Sequence, residues 1–193
     1  MVEVKKYDHM IGMTRTLYLL CSAAPPVFDV AHVVEDAQSR GWDVCLGLTP
    51  TAAHWVAGSL DGLAALTGNP VRWQYPLPGE PDPWPPADAL LFAPATFNSL
   101  NAWALGLTDR FVAGLAAEAI GRGTPTVAVP CLSPALAAHP RFELSLSVLR
   151  GAGVELLYGE TAPTAPAEGT PAPAFPWGPA LDAVDRATTG PTP

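Results

Sequence analysis

Thr16-Leu-Tyr-Leu-Leu-Cys21 is a short, uninterrupted apolar run closed by Ser22-Ala-Ala-Pro-Pro26. A run of that length and continuity suits a strand buried on both faces. Val27–Arg40 follows, with Val27, Val30, Ala31, Val34 and Ala37 at helical spacing and Gly41 placed to end the helix. Asp43-Val-Cys-Leu-Gly-Leu48 is then a second buried strand. Strand, helix and strand in this order imply a crossover connection and a parallel pair.

The alternation continues outward from that unit. Thr51–Leu66 carries one or two helical turns, and Pro70-Val-Arg-Trp73 reads as a brief third strand. Ala89-Leu-Leu-Phe-Ala93 is strongly strand-like, and Ser99–Leu105 and Thr108–Gly121 are helical. Thr126-Val-Ala-Val129 is a strand, Arg141–Leu149 a helix ended by Gly151, and Val154-Glu-Leu-Leu157 the last strand. The pattern predicts an α/β fold, a Rossmann-like (flavodoxin-like) three-layer sandwich around a parallel sheet. Ligands in such sheets sit beyond the C-terminal strand ends, which singles out Cys21–Pro26, Thr49–Ala53, Pro94–Ser99 and Pro130–Pro140.

Punctuation by proline and glycine sets the organisation. Residues 1–15 read as a leader, 16–160 as the α/β domain, 161–174 as a flexible Pro/Ala-rich loop or flap, and 175–193 as a closing helix and frayed tail. The cluster Tyr75-Pro-Leu-Pro-Gly-Glu-Pro-Asp-Pro-Trp-Pro-Pro86 is neither helix nor central strand, because each proline lacks a donor and fixes φ.

Composition narrows the function classes. Of 193 residues, 49% are hydrophobic and 15% charged, which supplies a core and excludes disorder throughout. A formal charge of −8 repels phosphate backbones, so nucleic-acid binding is not expected. No apolar run approaches the ~20 residues of a membrane span, and the start lacks a signal-peptide core. Cys21, Cys45 and Cys131 are widely spaced with no CxxC pair, which suits reduced thiols in the cytoplasm and no metal site.

The strand-end turns each leave alternatives open. Cys21-Ser-Ala-Ala-Pro-Pro26 is not GxGxxG, and no acidic residue follows the second strand to meet an NAD ribose. Ser22 either caps a helix or offers its hydroxyl and backbone N–H groups to a phosphate. Thr49 and Thr51 supply two more hydroxyls directly after a strand. Asn98, in the proline-led turn Pro94-Ala-Thr-Phe-Asn-Ser99, either caps the next helix or hydrogen-bonds a planar heterocycle. Cys131 packs as a small residue or, with a base beside it, acts as a nucleophile. His54 and His139 are a structural or solvated pair by default, and Glu80 is a surface charge unless burial makes it a base.

The order strand, Pro94-Ala-Thr-Phe-Asn-Ser99, helix, Gly106, Asp109, strand, Pro130-Cys-Leu-Ser-x-x-Leu-x-x-x-Pro140 resembles the homo-oligomeric flavin-containing cysteine decarboxylases. That family includes phosphopantothenoylcysteine decarboxylase and the peptidyl-cysteine decarboxylases of lantibiotic biosynthesis. The resemblance covers about Thr16 to Leu157 and implies FMN as cofactor. By position it assigns Cys21, Ser22 and Ala23 to the phosphate turn. Thr49, Pro50 and Thr51 fall on the phosphate and ribityl segment, and Thr96, Phe97, Asn98 and Ser99 on the isoalloxazine border. Cys131 falls beside the flavin, and Trp55 is an aromatic that could pack by the ring.

The same resemblance implies oxidation of a cysteine to a thioaldehyde, which then loses CO2 as an enethiolate. Asn98 matches a member of the family's catalytic set. An ungapped count back from Pro94 puts Glu80 where the family has its catalytic histidine, and no histidine stands between His54 and His139. Ser133 takes the place of the asparagine that holds the substrate, with Leu132 and Leu136 at the two methionine positions. The implied function is an FMN-dependent oxidoreductase or decarboxylase of a cysteine-derived or other small substrate, with a small molecule or peptide C-terminus as partner. The alternative is an inert flavin-binding regulatory or partner subunit. A homo-oligomer, trimer or dodecamer, is implied in either case.

Overall fold

Along β1 (Arg15–Cys21) side chains alternate between the two faces of a sheet, and every residue after Arg15 is buried. A strand wrapped on both sides belongs in the interior of the sheet, and β1 is bonded to β2 (Trp42–Leu48) on one side and β3 (Ala89–Ala95) on the other. Strands β4 (Thr126–Pro130) and β5 (Glu155–Leu156) complete a five-stranded parallel sheet of order β2-β1-β3-β4-β5. This is the flavodoxin-like doubly wound order, as the alternating pattern predicts. The computed structural model describes residues 15–159 and 174–189. Residues 1–14 of the expected leader, most of the Pro/Ala-rich segment and the extreme tail lie outside the described residues, while Arg15 belongs to β1.

Each face of the sheet carries its own core. Leu17, Leu19, Val44, Leu46, Leu48, Leu91 and Val129 point to one face, under α1 (Val30–Ser39), α2 (Pro50–Trp55), α3 (Leu60–Thr67) and α8 (Trp177–Thr189). In α8, Ala180, Leu181, Ala183 and Val184 are buried in that same core, so the closing helix is part of the layer. Tyr18, Leu20, Cys45, Leu90, Phe92 and Ala128 point to the other face, under α4 (Phe97–Ala104), α5 (Phe111–Arg122) and α7 (Pro140–Gly151). Burial of each such large side chain stabilises the fold by about 1.5–3 kcal/mol. At Gly47 on β2 an added Cβ would stand 2.6 Å from Leu20 Cδ2 and 3.4 Å from Trp84, so any larger residue there would have to displace the buried Leu20 side chain.

Several boundaries differ from the sequence reading for identifiable reasons. The first helix is preceded by a 3₁₀ turn, Pro25–Asp29, with the paired prolines in its first turn, where no intrahelical N–H donor is needed. Pro70–Trp73 is no strand. Only Arg72 pairs with the sheet edge, its N–H donating to Leu46 O at 3.0 Å and its carbonyl accepting from Leu48 N at 2.8 Å. Strand β3 runs through Pro94 to Ala95, with a register shift against β4 between Phe92 and Ala95 where proline offers no N–H. A short helix, α6 (Pro134–Ala137), precedes α7 inside what reads as loop.

The proline-rich segment is irregular, as its prolines require, but it is tied down. Trp84 is buried in the second core and its Nε1–H donates to Pro70 O at 2.9 Å. Arg72 pairs with Asp82 at 2.7 Å and lies over the rings of Trp84 and Phe111, 4.9 and 4.6 Å from their centroids. The Tyr18 hydroxyl donates to Pro85 O at 2.8 Å, and that of Tyr75 to Thr108 O at 2.9 Å.

Candidate functional site

Three backbone hydrogen bonds lock the strand ends to one another. Ser22 N donates to Pro94 O, Thr49 N to Cys21 O, and Cys131 N to Ala95 O, each at 2.9 Å. The turns after β1, β2, β3 and β4 are thereby held at one rim, and a cleft of about 1200 Å³ opens there. Its walls are Ala23–Pro26, Thr49–Thr51, Thr96–Ser99 and Pro130–Ser133, together with Asp29, Trp55, Arg110, Leu136, Ala174 and Phe175.

Most residues singled out in the sequence meet in this cleft. Ala23, Thr49, Pro50, Thr51, Thr96, Phe97, Asn98, Ser99, Cys131 and Ser133 all line it, as do Trp55, Leu132 and Leu136. Thr49 also caps α2, its Oγ1 accepting from Ala52 N at 3.3 Å. Ser133 caps α6 in the same way, with Oγ accepting from Leu136 N at 3.4 Å. Asn98 does not take the capping role open to it. The N-cap of α4 is Thr96, and Asn98 sits exposed in the first turn beside the cleft.

Cys21, Ser22, Glu80, His54 and His139 are placed elsewhere. Ser22 is buried beneath the rim, its Oγ donating to Ser99 Oγ at 2.8 Å while Thr96 Oγ1 donates to the same oxygen at 3.2 Å. That network orients the α4 entry from below. Cys21 is fully buried in the first core, and burial pushes its thiol far up. Glu80 is exposed in the proline-rich loop, where its carboxylate accepts from Leu77 N at 2.9 Å. His54 is exposed on α2 outside the cleft lining. His139 caps α7, its Nδ1 accepting from Arg141 N at 3.0 Å, and its ring meets Phe97 edge-on at 5.5 Å.

The cleft thiol is not poised for nucleophilic chemistry. Burial raises the Cys131 thiol, and no base is among the causes acting on it, so it stays protonated. The polar lining is mostly hydroxyls and one amide, with Phe97, Leu132, Leu136, Trp55 and Phe175 as apolar walls. Apolar walls with a few convergent polar groups are the make-up of a small-molecule site. Asp29, Arg110, Ala174 and Phe175 were not foreseen. Helices return antiparallel to the strands, so the residue opening α5 must come back to the cleft end, and that rule could have found Arg110.

No curated relative matches the sequence. Solved structures with this fold include the FMN-dependent cysteine decarboxylase SpaF, 22% identical over 93% of this chain and 99% of that one, with a TM-score of 0.70. The FMN-dependent cysteine decarboxylase TvaF of thioviridamide biosynthesis is 21% identical over 91% of this chain and 99% of that one, with a TM-score of 0.69. The FMN-binding protein AtHal3 is 18% identical over 89% and 95%, also with a TM-score of 0.69. A family model described as Flavoprotein matches residues 5–186, nearly the whole chain including every turn of the cleft, and the chain belongs to that family.

Proposed function

We propose that the protein binds FMN noncovalently in the strand-end cleft and acts as a flavin-dependent oxidoreductase or decarboxylase of a cysteine-derived or other small substrate, a peptide C-terminus included. The observation that carries this reading is the convergence of four separate turns, Ala23–Pro26, Thr49–Thr51, Thr96–Ser99 and Pro130–Ser133, on one cleft of about 1200 Å³. Its donor set fits the group. Thr49 and Thr51 would serve the phosphate and ribityl chain, while Phe97, Leu132 and Phe175 would flank the ring system. The flavin supplies a two-electron acceptor when bound.

The chain's own residues do the rest. The Asn98 side chain both donates and accepts, which suits it to orient a substrate oxygen or a ring edge. Cys131, neutral and partly sheltered, contributes shape rather than nucleophilicity. Ser22 and Thr96 steady Ser99, and so the helix entry that carries Asn98. The apolar walls would border the reacting thiol. Denaturing the purified protein and measuring released FMN tests the cofactor. Protein that releases none and takes up none on addition of FMN would sink the reading. Loss of CO2 from cysteine-ended peptides tests the reaction.

The protein acts as a homo-oligomer in this reading, a trimer or a dodecamer built from trimers. Leu144 and Val148, one turn apart on α7, are 59% and 51% exposed, which suits a subunit contact. Light scattering that gives a monomer at micromolar concentration would overturn it. None of the described helices is long and apolar enough to cross a membrane, and we place the protein in the cytoplasm.

A further inference from the structure

Among the described residues Arg110 is the one cationic side chain in the cleft wall, opposed in charge only by Asp29. It opens α5 from the N-cap position with an extended backbone, where the peptide dipoles of a 12-residue helix add positive potential. The other described arginines are mostly spoken for. Arg72 holds Asp82 at 2.7 Å, Arg122 holds Glu118 at 2.7 Å, Arg150 holds Glu143 at 3.1 Å, Arg186 holds Glu155 at 3.1 Å, and Arg40 is ringed by Asp36, Asp182 and Asp185. Among the described residues Arg110 reaches only its neighbour Asp109, at 4.0 Å, and its side chain is 61% exposed. In a chain of net charge −8 this guanidinium stands over a cleft with no hydrogen bond to any described residue. The remaining polar lining is neutral hydroxyl or amide, Asp29 apart, and part of it is already engaged in capping, as at Thr49 and Ser133.

We infer that Arg110 anchors the oxyanion of the cleft's ligand by a bidentate, charge-assisted pair. This deepens the function proposed above and rests on it for the identity of the ligands. Two oxyanions share that chemistry, the carboxylate of an acidic thiol substrate and the phosphate of the flavin. Carboxylate binding fixes where the departing CO2 lies relative to the ring. Phosphate binding instead fixes the flavin itself.

The test compares the full chain with Arg110→Gln, Arg110→Lys and, as a control on the far end of α5, Arg122→Gln. Flavin fluorescence gives Kd for FMN and for riboflavin, and perturbation of the bound flavin's absorption gives Kd for a cysteine-ended peptide and its C-terminal amide. Arg110→Gln is expected to weaken one member of a pair, peptide acid against amide or FMN against riboflavin, by about 10-fold to 100-fold. Arg110→Lys should lose less and Arg122→Gln nothing. The pair that changes names the source of the oxyanion. If both ratios stay at their wild-type values, Arg110 anchors no oxyanion and the inference is wrong. Should the wild-type chain bind no flavin, the proposed function fails separately. Calorimetric titration of mercaptopropionate and inorganic phosphate into the flavin-free chain then decides Arg110 alone. A comparable loss in Arg110→Gln supports the anchor, and equal or absent binding in both proteins overturns it.

Discussion

The corner Pro94–Ser99 and the loop Tyr75–Pro86 are both built on proline, and each carries a side chain with catalytic potential, Asn98 and Glu80. They end in opposite roles. The corner is fixed from beneath, by Ser22 N on Pro94 O and by the Ser22–Ser99–Thr96 hydroxyls, so its upper side is left to the cleft. The loop is exposed but tied back on itself, with Trp84 in the core, Arg72 on Asp82 and Glu80 closing its own turn. A loop whose donors and acceptors are consumed internally is a structural cover. One whose bonds lie behind it presents its side chains to a ligand.

The largest expected effect breaks the cover. Trp84→Ala empties a buried indole site and strands the Pro70 carbonyl, and should cost about 3–5 kcal/mol in chemical denaturation. Ligand affinity of the folded fraction should hold, and a variant of undiminished stability that lost flavin affinity would refute the division. Next comes the corner. Asn98→Ala should lower turnover on the order of 100-fold, with stability within about 0.5 kcal/mol of wild type. His54→Ala and His139→Ala should cost less. Turnover that survived loss of Asn98 but vanished with either histidine would relocate the reactive group.

Alkali gives a graded probe of the cover. Burial and the nearby Asp82 carboxylate push the Tyr18 hydroxyl up to about 12, and burial with Asp43 and Asp82 pushes the Cys45 thiol up to about 12. Both groups are neutral in the fold and ionise more readily in the unfolded chain, near 10 and 9 respectively. Their contribution is therefore complete below pH 9 and is lost progressively between pH 9 and 12. Denaturation midpoints should fall over that window and flatten in Cys45→Ala and Tyr18→Phe. A flat wild-type profile would mean the loop does not seal these groups. The smallest effect is Glu80→Gln, expected within about 0.5 kcal/mol and without change in flavin affinity or turnover. A large loss of turnover there would return Glu80 to the reaction.

Periodicity made the layers readable in advance. Apolar runs at Thr16–Cys21, Asp43–Leu48 and Ala89–Ala93, separated by helical spacing, admit little but a parallel sheet, because a strand buried on both faces needs helices on both. The same logic put the ligand at the strand ends, and the turns bearing Thr49, Thr51, Thr96, Asn98 and Cys131 do meet there. What each polar group does with its hydrogen bonds was not written in the chain order. Ser22 and Ser99 are far apart in sequence yet share a bond, Ser22 thereby leaving the surface. Arg110 enters the cleft only because α5 runs back over the sheet, and Glu80 stands outside it on an exposed loop anchored by Trp84 in the second core. Local pattern fixes which residues are buried and where strands end. Which polar atoms remain available to a ligand depends on contacts between segments distant in the chain, and those exist only once the sheet has brought them together.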